Sequence, residues 1–231
     1  MLCGRAIKIT LAVEPTAYCD AEAVVYLIDN TFTSIDGDFE PNRLVAMVRA
    51  AKYHANHVNM LNEKSRVACM TYGEGEFGFR ASFTSDIRRF QNCTDEIGPA
   101  GKPLLALALQ SSLLALKKSS PENESKKIIA FVSSPPEMTQ GEAQSIVDLA
   151  SEIKVILNFV ILGEETPAVA ILREIHASQK NSHFIITLPN AGLLSDQVLA
   201  SPLGLNEVLP RISIHKYTRK RRTARKQKAI T

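Results

Sequence analysis

The sequence contains no tryptophan, only four cysteines and no long apolar run. The cysteines are far apart and form no Cys-x-x-Cys pair, which argues against a disulfide framework and a zinc site. No stretch approaches the roughly 20 consecutive apolar residues of a membrane-spanning helix. The first 15 residues are a poor signal peptide, because a lysine and a glutamate interrupt their apolar run. We therefore expect an intracellular chain with reduced thiols and no membrane partner.

Positive charge is concentrated in residues 216–231, which carry eight lysines and arginines and no acid, whereas the other 215 residues carry 19 basic and 24 acidic side chains. Such a run is typical of a solvated segment. Within it, a candidate nuclear-targeting cluster is formed by Arg219, Lys220, Arg221 and Arg222. Nonspecific nucleic-acid contact is the other interpretation, but the run has a single aromatic residue and the acidic body would repel phosphate. We expect a cytoplasmic and nuclear protein without a specific nucleic-acid partner.

Short apolar runs rich in β-formers alternate with stretches of helical periodicity. The runs at residues 24–28, 128–132, 155–161 and 184–187 suit strands buried on both faces. The helical stretches are roughly residues 41–58, 103–118, 139–152, 166–179 and 193–199. This alternation predicts an α/β domain with a mostly parallel sheet and helices on both faces.

Residues 66–72 and 77–83 interrupt the alternation, because both are strand-like and the connection between them is too short for a crossover. They predict a hairpin that adds one antiparallel edge strand. Gly73, Gly75 and Gly78 formally spell Gly-x-Gly-x-x-Gly in this connection. A nucleotide site requires a helix to follow, and here a strand follows, so the glycines indicate a turn.

The chain offers no recognisable catalytic group. His54 and His57 lie three residues apart on a predicted helix, but no cysteine or acid has matching spacing, so we expect ordinary surface or interface histidines. No serine occupies a Gly-x-Ser-x-Gly elbow, and no cysteine has a recognisable histidine partner. We predict that the protein is not an enzyme and holds no cofactor.

The stretch from Asp29 to Thr33 reads Asp-Asn-Thr-Phe-Thr and directly follows the first predicted strand, where open α/β sheets bind ligands. It resembles the Asp-x-Ser-x-Ser signature of von Willebrand factor A domains, whose loop forms part of a metal-ion-dependent adhesion site. The resemblance implies a Rossmann-like von Willebrand factor A fold and a divalent ion completed by a Thr and an Asp from two further loops. At those places this chain has residues 100–104, without a hydroxyl, and residues 133–136, without a carboxylate.

We therefore predict a degenerate adhesion site without a functional metal. Its loop either presents Asp29, Thr31 and Thr33 to a protein partner or ties itself together through hydrogen bonds to backbone N–H groups. We expect Asp29 to be exposed at the strand end. The predicted partner-binding residues are Asp29, Asn30, Thr31, Thr33, Asp38 and Arg43.

A narrower resemblance covers about residues 22–205. It is carried by DNTFTSIDGDFEPNRL (29–44), IIAFVSSPPE (128–137), NFVILGEE (158–165) and LASPLG (199–204). In this order and spacing they resemble the ubiquitin-receptor family among the non-ATPase subunits of the 26S proteasome regulatory particle, which is built on a von Willebrand factor A domain. The resemblance implies a scaffold that bridges lid and base in ubiquitin-dependent degradation. The alternative is a metal-dependent adhesion or ligand-binding module of the same fold outside the proteasome.

The chain also departs from that family. We divide it into an N-terminal extension (1–20), the domain (21–208) and a basic C-terminal tail (209–231). The family continues instead into acidic ubiquitin-interacting helices, so ubiquitin capture by that route is doubtful and binding of ubiquitin conjugates stays open. Leu105, Ala108 and Ser112 share the spacing of such helices, but their segment is apolar nearly all round and predicts a core helix.

Overall fold

The central sheet has six strands that follow the apolar runs of the sequence. In the computed structural model, which describes residues 20–119 and 124–205, they are β1 (Glu22–Ile28), β2 (Arg66–Thr71), β3 (Gly78–Thr84), β4 (Ser125–Val132), β5 (Val155–Leu162) and β6 (Phe184–Thr187). Their order across the sheet is β3-β2-β1-β4-β5-β6, and only the β2–β3 pair is antiparallel. The predicted mostly parallel sheet with one antiparallel edge strand is confirmed.

The two outer strands differ from the inner ones. β6 has four residues, and the pairing of β3 with β2 shifts register on both sides of Cys69. In the inner strands β1 and β4, every residue after Glu22 and after Lys127, respectively, is apolar and buried. The sheet is therefore regular at its centre and irregular or short at its edges.

Helices cover both faces of the sheet, as predicted. They are α1 (Arg43–Leu61), α2 (Ile87–Cys93), α3 (Leu105–Ser119), α4 (Gln140–Glu152), α5 (Ala170–Ala177), α6 (Leu194–Ala200) and α7 (Pro202–Leu205). Alternate side chains of β1 point to opposite faces. Val25 and Leu27 share one apolar cluster with α3, α4 and α5, whereas Val24 and Tyr26 share the other with α1, α2 and α6.

Two features of the helices differ from the sequence predictions. Helix α1 begins at Arg43 rather than near Pro41, because the Asn42 side chain caps it by accepting from the Val45 N–H at 2.9 Å. Helices α2 and α7 are absent from the sequence predictions, because Phe90 is the one fully buried residue of α2 and α7 has only four residues. None of the helices in the described ranges combines the length and apolar composition needed to cross a membrane.

Several sequence predictions lie outside the described residues. They concern the nuclear-targeting cluster of Arg219, Lys220, Arg221 and Arg222, the basic tail, and the N-terminal extension up to residue 19. The domain boundary predicted at residue 208 also lies beyond the last described residue, Leu205.

The expectation of a surface or interface position is wrong for His54, which is 3 % exposed, whereas His57 is half-buried. His54 Nε2 lies 3.1 Å from the Leu203 carbonyl oxygen, which can only accept, so Nε2 carries the proton. Its Nδ1 then accepts from the Tyr26 hydroxyl at 2.8 Å. Burial lowers the pKa of His54 to about 4, so a neutral imidazole joins β1 to α7.

We expect the free energy of unfolding to fall between about pH 6.5 and pH 4. In this range the unfolded imidazole binds a proton at its ordinary pKa of about 6.5, whereas the folded one stays neutral until about pH 4. The resulting loss in the free energy of unfolding reaches about 3 kcal/mol below pH 4. Urea titrations at stepped pH values measure it. His54→Gln should make the free energy of unfolding less dependent on pH in this range, whereas His57→Gln on the same helix should leave the dependence unchanged. An equal pH dependence in both variants would contradict the assignment of the effect to His54.

Candidate functional site

The candidate site lies where the carboxyl ends of the parallel strands meet. The loops that follow β1, β2, β4 and β5 all emerge at this edge of the sheet. The loop after β1 starts at Asp29, contains a 3₁₀-helix (Phe32–Ile35) and ends at Asn42. The predicted partner-binding residues therefore belong to one loop and the first turn of α1.

The Asp29 carboxylate is completely buried and accepts five hydrogen bonds. Oδ2 accepts from the backbone N–H groups of Ser133 and Ser134 at 2.9 and 2.8 Å, and from the Ser134 hydroxyl at 2.6 Å. Oδ1 accepts from the N–H and the hydroxyl of Thr31 at 3.0 and 2.7 Å. Both oxygens are thus satisfied by groups of the chain itself.

The expectation that Asp29 is exposed is wrong. Its strand lies in the middle of the sheet, and the loop after β4 closes over the strand end through Ser133 and Ser134. Of the two roles that the sequence left open, Asp29 has the second, because it ties two loops together by accepting from backbone N–H groups. Substitution of Asp29 would act on the fold before it acted on any partner.

Two threonines extend this network toward the surface. The hydroxyl of buried Thr31 gives its hydrogen to Asp29 and accepts one from the exposed Thr33 hydroxyl, 2.9 Å away. The N–H and the hydroxyl of Ser34 both donate to the Thr31 carbonyl, at 3.0 and 2.6 Å. These bonds fix the 3₁₀-helix of Phe32–Ile35 on the end of β1.

Asn30 joins two further loops to the same place and is also fully buried. Its side-chain oxygen accepts from the Gly73 N–H at 2.6 Å, and its amide donates to the Gly98 carbonyl at 3.0 Å. A Cβ on Gly73 would lie 2.1 Å from the Ala100 carbonyl oxygen, so this close approach requires glycine. Gly73 and Gly75 indeed belong to the hairpin connection, whereas Gly78 is the first residue of β3.

Tyr72 lies beside the Asp29 network at the end of β2. Burial raises the pKa of Tyr72 well above its ordinary value, and the nearby charge of Asp29 raises it further. The neutral hydroxyl donates to the Phe131 carbonyl of β4 at 2.8 Å. This bond reaches across β1 and connects its two neighbouring strands.

Arg43 and Asp38 fix the far end of the loop. Nε and Nη2 of Arg43 donate to the two carboxylate oxygens of Asp38 at 2.8 and 2.7 Å, and Nη1 donates to the Ser133 carbonyl at 2.9 Å. The hydrogen bonds from Arg43 lower the pKa of Asp38, and Asp38 raises the pKa of Arg43. The Arg43 side chain is 17 % exposed and that of Asp38 is 33 % exposed, so Asp38 retains more surface for a partner.

The residues at this edge do not fit a divalent cation. Mg²⁺ requires a near-octahedral shell of free oxygen ligands, whereas both oxygens of Asp29 already face N–H and O–H hydrogens. Across residues 20–119 and 124–205, no three histidine, cysteine or acidic side chains gather as a metal site would require. Hydrogen bonds therefore close the loop that a metal closes in an adhesion site.

Sequence reasoning missed two residues at this edge, Phe32 and Ile35, whose side chains are 63 % and 55 % exposed. They lie three residues apart on a 3₁₀-helix, which has three residues per turn, so they project from the same side. The available signal is an apolar pair at i and i+3 in a loop that is otherwise rich in polar residues. The adhesion-site signature of this loop consists of polar residues alone, so it does not single out this pair.

The segment with ubiquitin-interacting spacing lies in the core, as predicted. Leu105, Ala108 and Ser112 are each completely buried on α3. They pack with the apolar cluster between this helix and the sheet. The pattern is therefore a core pattern in the described fold.

We expect Asp29→Ala to lower the free energy of unfolding by about 3 kcal/mol or more, because hydrogen bonds to a charged group contribute about 1.5–3 kcal/mol each and buried donors lose their acceptor. Urea unfolding followed by circular dichroism measures this loss. Thr33→Ala is the matched control, since it removes one bond at the exposed end of the network and should change stability by less than about 1 kcal/mol. Equal losses in the two variants would show that Asp29 is not central.

The closed Asp29 network also predicts indifference to divalent ions. We expect the unfolding midpoint of the EDTA-treated protein to stay constant as Mg²⁺ or Mn²⁺ is added to about 10 mM, because an ion that binds only the folded state would raise it. A midpoint that climbs with ion concentration would restore the metal-dependent module as an explanation.

Comparisons with known proteins agree with the fold and the loop geometry described above. A family model described as von Willebrand factor type A domain matches residues 24–136. The crystal structure of the SpRpn10 VWA domain superposes with a TM-score of 0.72 at 26 % identity, over 82 % of this chain and all of that one.

Curated relatives point to the same family. The 26S proteasome regulatory subunit rpn10 of Schizosaccharomyces pombe is 28 % identical over 79 % of this chain and 76 % of its own length. The 26S proteasome non-ATPase regulatory subunit 4 homolog of rice (Oryza sativa subsp. japonica) is 26 % identical over 80 % of this chain, which spans only 47 % of that protein. The chain thus contains a von Willebrand factor type A domain and is homologous to the Rpn10-type subunits of the 26S proteasome.

Proposed function

We propose that the chain is a non-catalytic scaffold subunit of the 26S proteasome regulatory particle, which helps to bridge lid and base in the cytoplasm and nucleus. It docks through residues 32–40, which we call the docking surface. The observation that carries the proposal is the Asp29 network, in which the residues of the degenerate adhesion site bond to one another and hold an exposed apolar pair outward. Membership of the complex is supported by the relatives, which are regulatory subunits of the 26S proteasome.

A rigid docking surface favours stable assembly. Binding costs free energy when it immobilises loops, and a loop that is already ordered loses less. Here the hydroxyls of Thr31, Thr33 and Ser34 each make a hydrogen bond within the loop. Asp38, held by Arg43, extends the ordered surface to the start of α1.

Ubiquitin recognition is not assigned to α3 in this proposal. A ubiquitin-interacting helix must expose its Leu, Ala and Ser positions, and here all three lie in the core. We assign partner binding to the docking surface alone. Partner contact by Thr33 and Asp38 stays a prediction, whereas Asp29, Asn30 and Thr31 would support that surface from beneath.

The proposal predicts that the tagged full-length chain, expressed in its own cells at native level, sediments with the regulatory particle at physiological salt. Gradient fractions are probed for proteasomal ATPases and lid subunits. We also expect particles from cells depleted of the chain to separate into lid and base at lower salt on native gels, because a bridge has been removed.

Two results would contradict the proposal. A chain that sediments alone, while ATPases and lid subunits stay together, would exclude membership of the particle. Particles that dissociate at the same salt with and without the chain would exclude the bridging role.

A further inference from the structure

We infer that Phe32 and Ile35 of the docking surface form an apolar knob inside an acidic rim to which the neighbouring loops contribute. This arrangement fits a partner protein that has an apolar pocket surrounded by lysines and arginines. The inference rests on the proposed function, because it specifies the partner chemistry of the same surface. It follows from the exposure of the apolar pair, the charges of the neighbouring loops and the strand order.

The loops at the carboxyl edge are strongly acidic. Within residues 30–42, 73–77, 98–104, 133–139 and 163–169, the single cation is Lys102. The same loops expose eight carboxylates: Asp36, Asp38, Glu40, Glu74, Glu76, Glu137, Glu164 and Glu165. An edge with this imbalance attracts cationic groups and repels anionic ones.

Most of these carboxylates have no cation to neutralise them within the described residues. Ion pairs join Asp38 to Arg43, Glu76 to Arg80 and Glu165 to Arg173. In the described ranges, no ion pair is made by Asp36, Glu40, Glu74, Glu137 or Glu164. Like charges that share a surface repel one another, and a partner that brings lysines and arginines relieves this repulsion.

The strand order places the apolar pair among these charges. β1 lies between β2 and β4, so the loop that carries Phe32 and Ile35 has the Glu74–Glu76 turn on one side and the Glu137 loop on the other. An apolar centre within a polar rim is the usual anatomy of a protein interface. A partner pocket that encloses Phe32 would exclude water from the centre, where interface energy concentrates.

The same charges argue against other occupants. Nucleic acid and anionic lipid surfaces are repelled by an acidic edge. The basic residues 216–231 of this chain are opposite in charge to the acidic rim and could bind it electrostatically. Their sequence is mostly cationic and polar, which does not complement the apolar Phe32 side chain, so we assign the surface to a partner protein and treat the chain's own tail as an outcome of the test.

The test uses full-length labelled chain and regulatory particles purified from its own cells after removal of the endogenous chain. We expect the Phe32→Ser/Ile35→Ser variant to raise the dissociation constant at least about 30-fold, mainly through faster dissociation. The matched control is Leu107→Ser/Leu114→Ser, which changes two leucines on α3 that are 48 % and 57 % exposed. The control should bind within about twofold of wild type, since Leu107 and Leu114 lie on a helix that covers one face of the sheet and not in the loop that carries Phe32 and Ile35.

The rim is tested separately. Glu74→Gln/Glu137→Gln/Glu164→Gln should slow association about tenfold at low salt and change dissociation little, because rim charges act mainly on encounter. High salt should remove the difference from wild type. Replacing Arg219, Lys220, Arg221 and Arg222 with glutamine should leave association unchanged.

The outcomes separate the two proposals. If wild type binds and the Phe32/Ile35 variant binds as tightly as the Leu107/Leu114 control, the apolar pair does not contact the partner. The inference is then wrong, and the proposed scaffold function is unaffected. If the tail variant associates faster than wild type, the tail occupies the surface and the inference of a partner pocket is overturned. If wild type does not bind the particles at all, the proposed function and this inference both fail.

Discussion

A single buried carboxylate holds together the functional edge of this domain. Asp29 receives its donors from its own loop and from residues 104 and 105 positions downstream, so it connects two loops that follow neighbouring strands. Burying an ionised group is costly unless hydrogen bonds replace its water, and the five donors do this here. The order of the 3₁₀-helix, and with it the exposure of Phe32 and Ile35, depends on that replacement.

Closure by hydrogen bonds differs physically from closure by an ion. A bound ion makes loop geometry depend on ion concentration, whereas donors within the chain are always present. Arg43 strengthens this independence, because it bonds both Asp38 and the carbonyl of Ser133, whose N–H bonds Asp29. Asp29 and Arg43 thus both bond the backbone of Ser133 in the loop after β4. The docking surface therefore needs no added component to be ordered.

The sequence was informative where the signal is local. Apolar runs and helical periodicity predicted the sheet and most helices, and the all-round apolarity of α3 predicted that Leu105 is buried. The errors concern contacts distant in sequence. Nothing near Asp29 indicates that Ser133 and Ser134 will cover it, and nothing near His54 indicates that Tyr26 and Leu203 will bury it. Helix α2 was missed for a different reason, since Phe90 alone supplies little periodicity.

The outer strands of the sheet bear on how copies of this domain behave when concentrated. An exposed strand edge is a template for pairing with another chain, and long regular edges are the hazardous ones. Here β6 offers four residues, and the pairing of β3 is interrupted by register shifts that twist a strand out of line. Sheet extension from one copy to the next is thereby discouraged, so at high protein concentration the fold resists the fibrous aggregation that a flat, regular edge strand would promote.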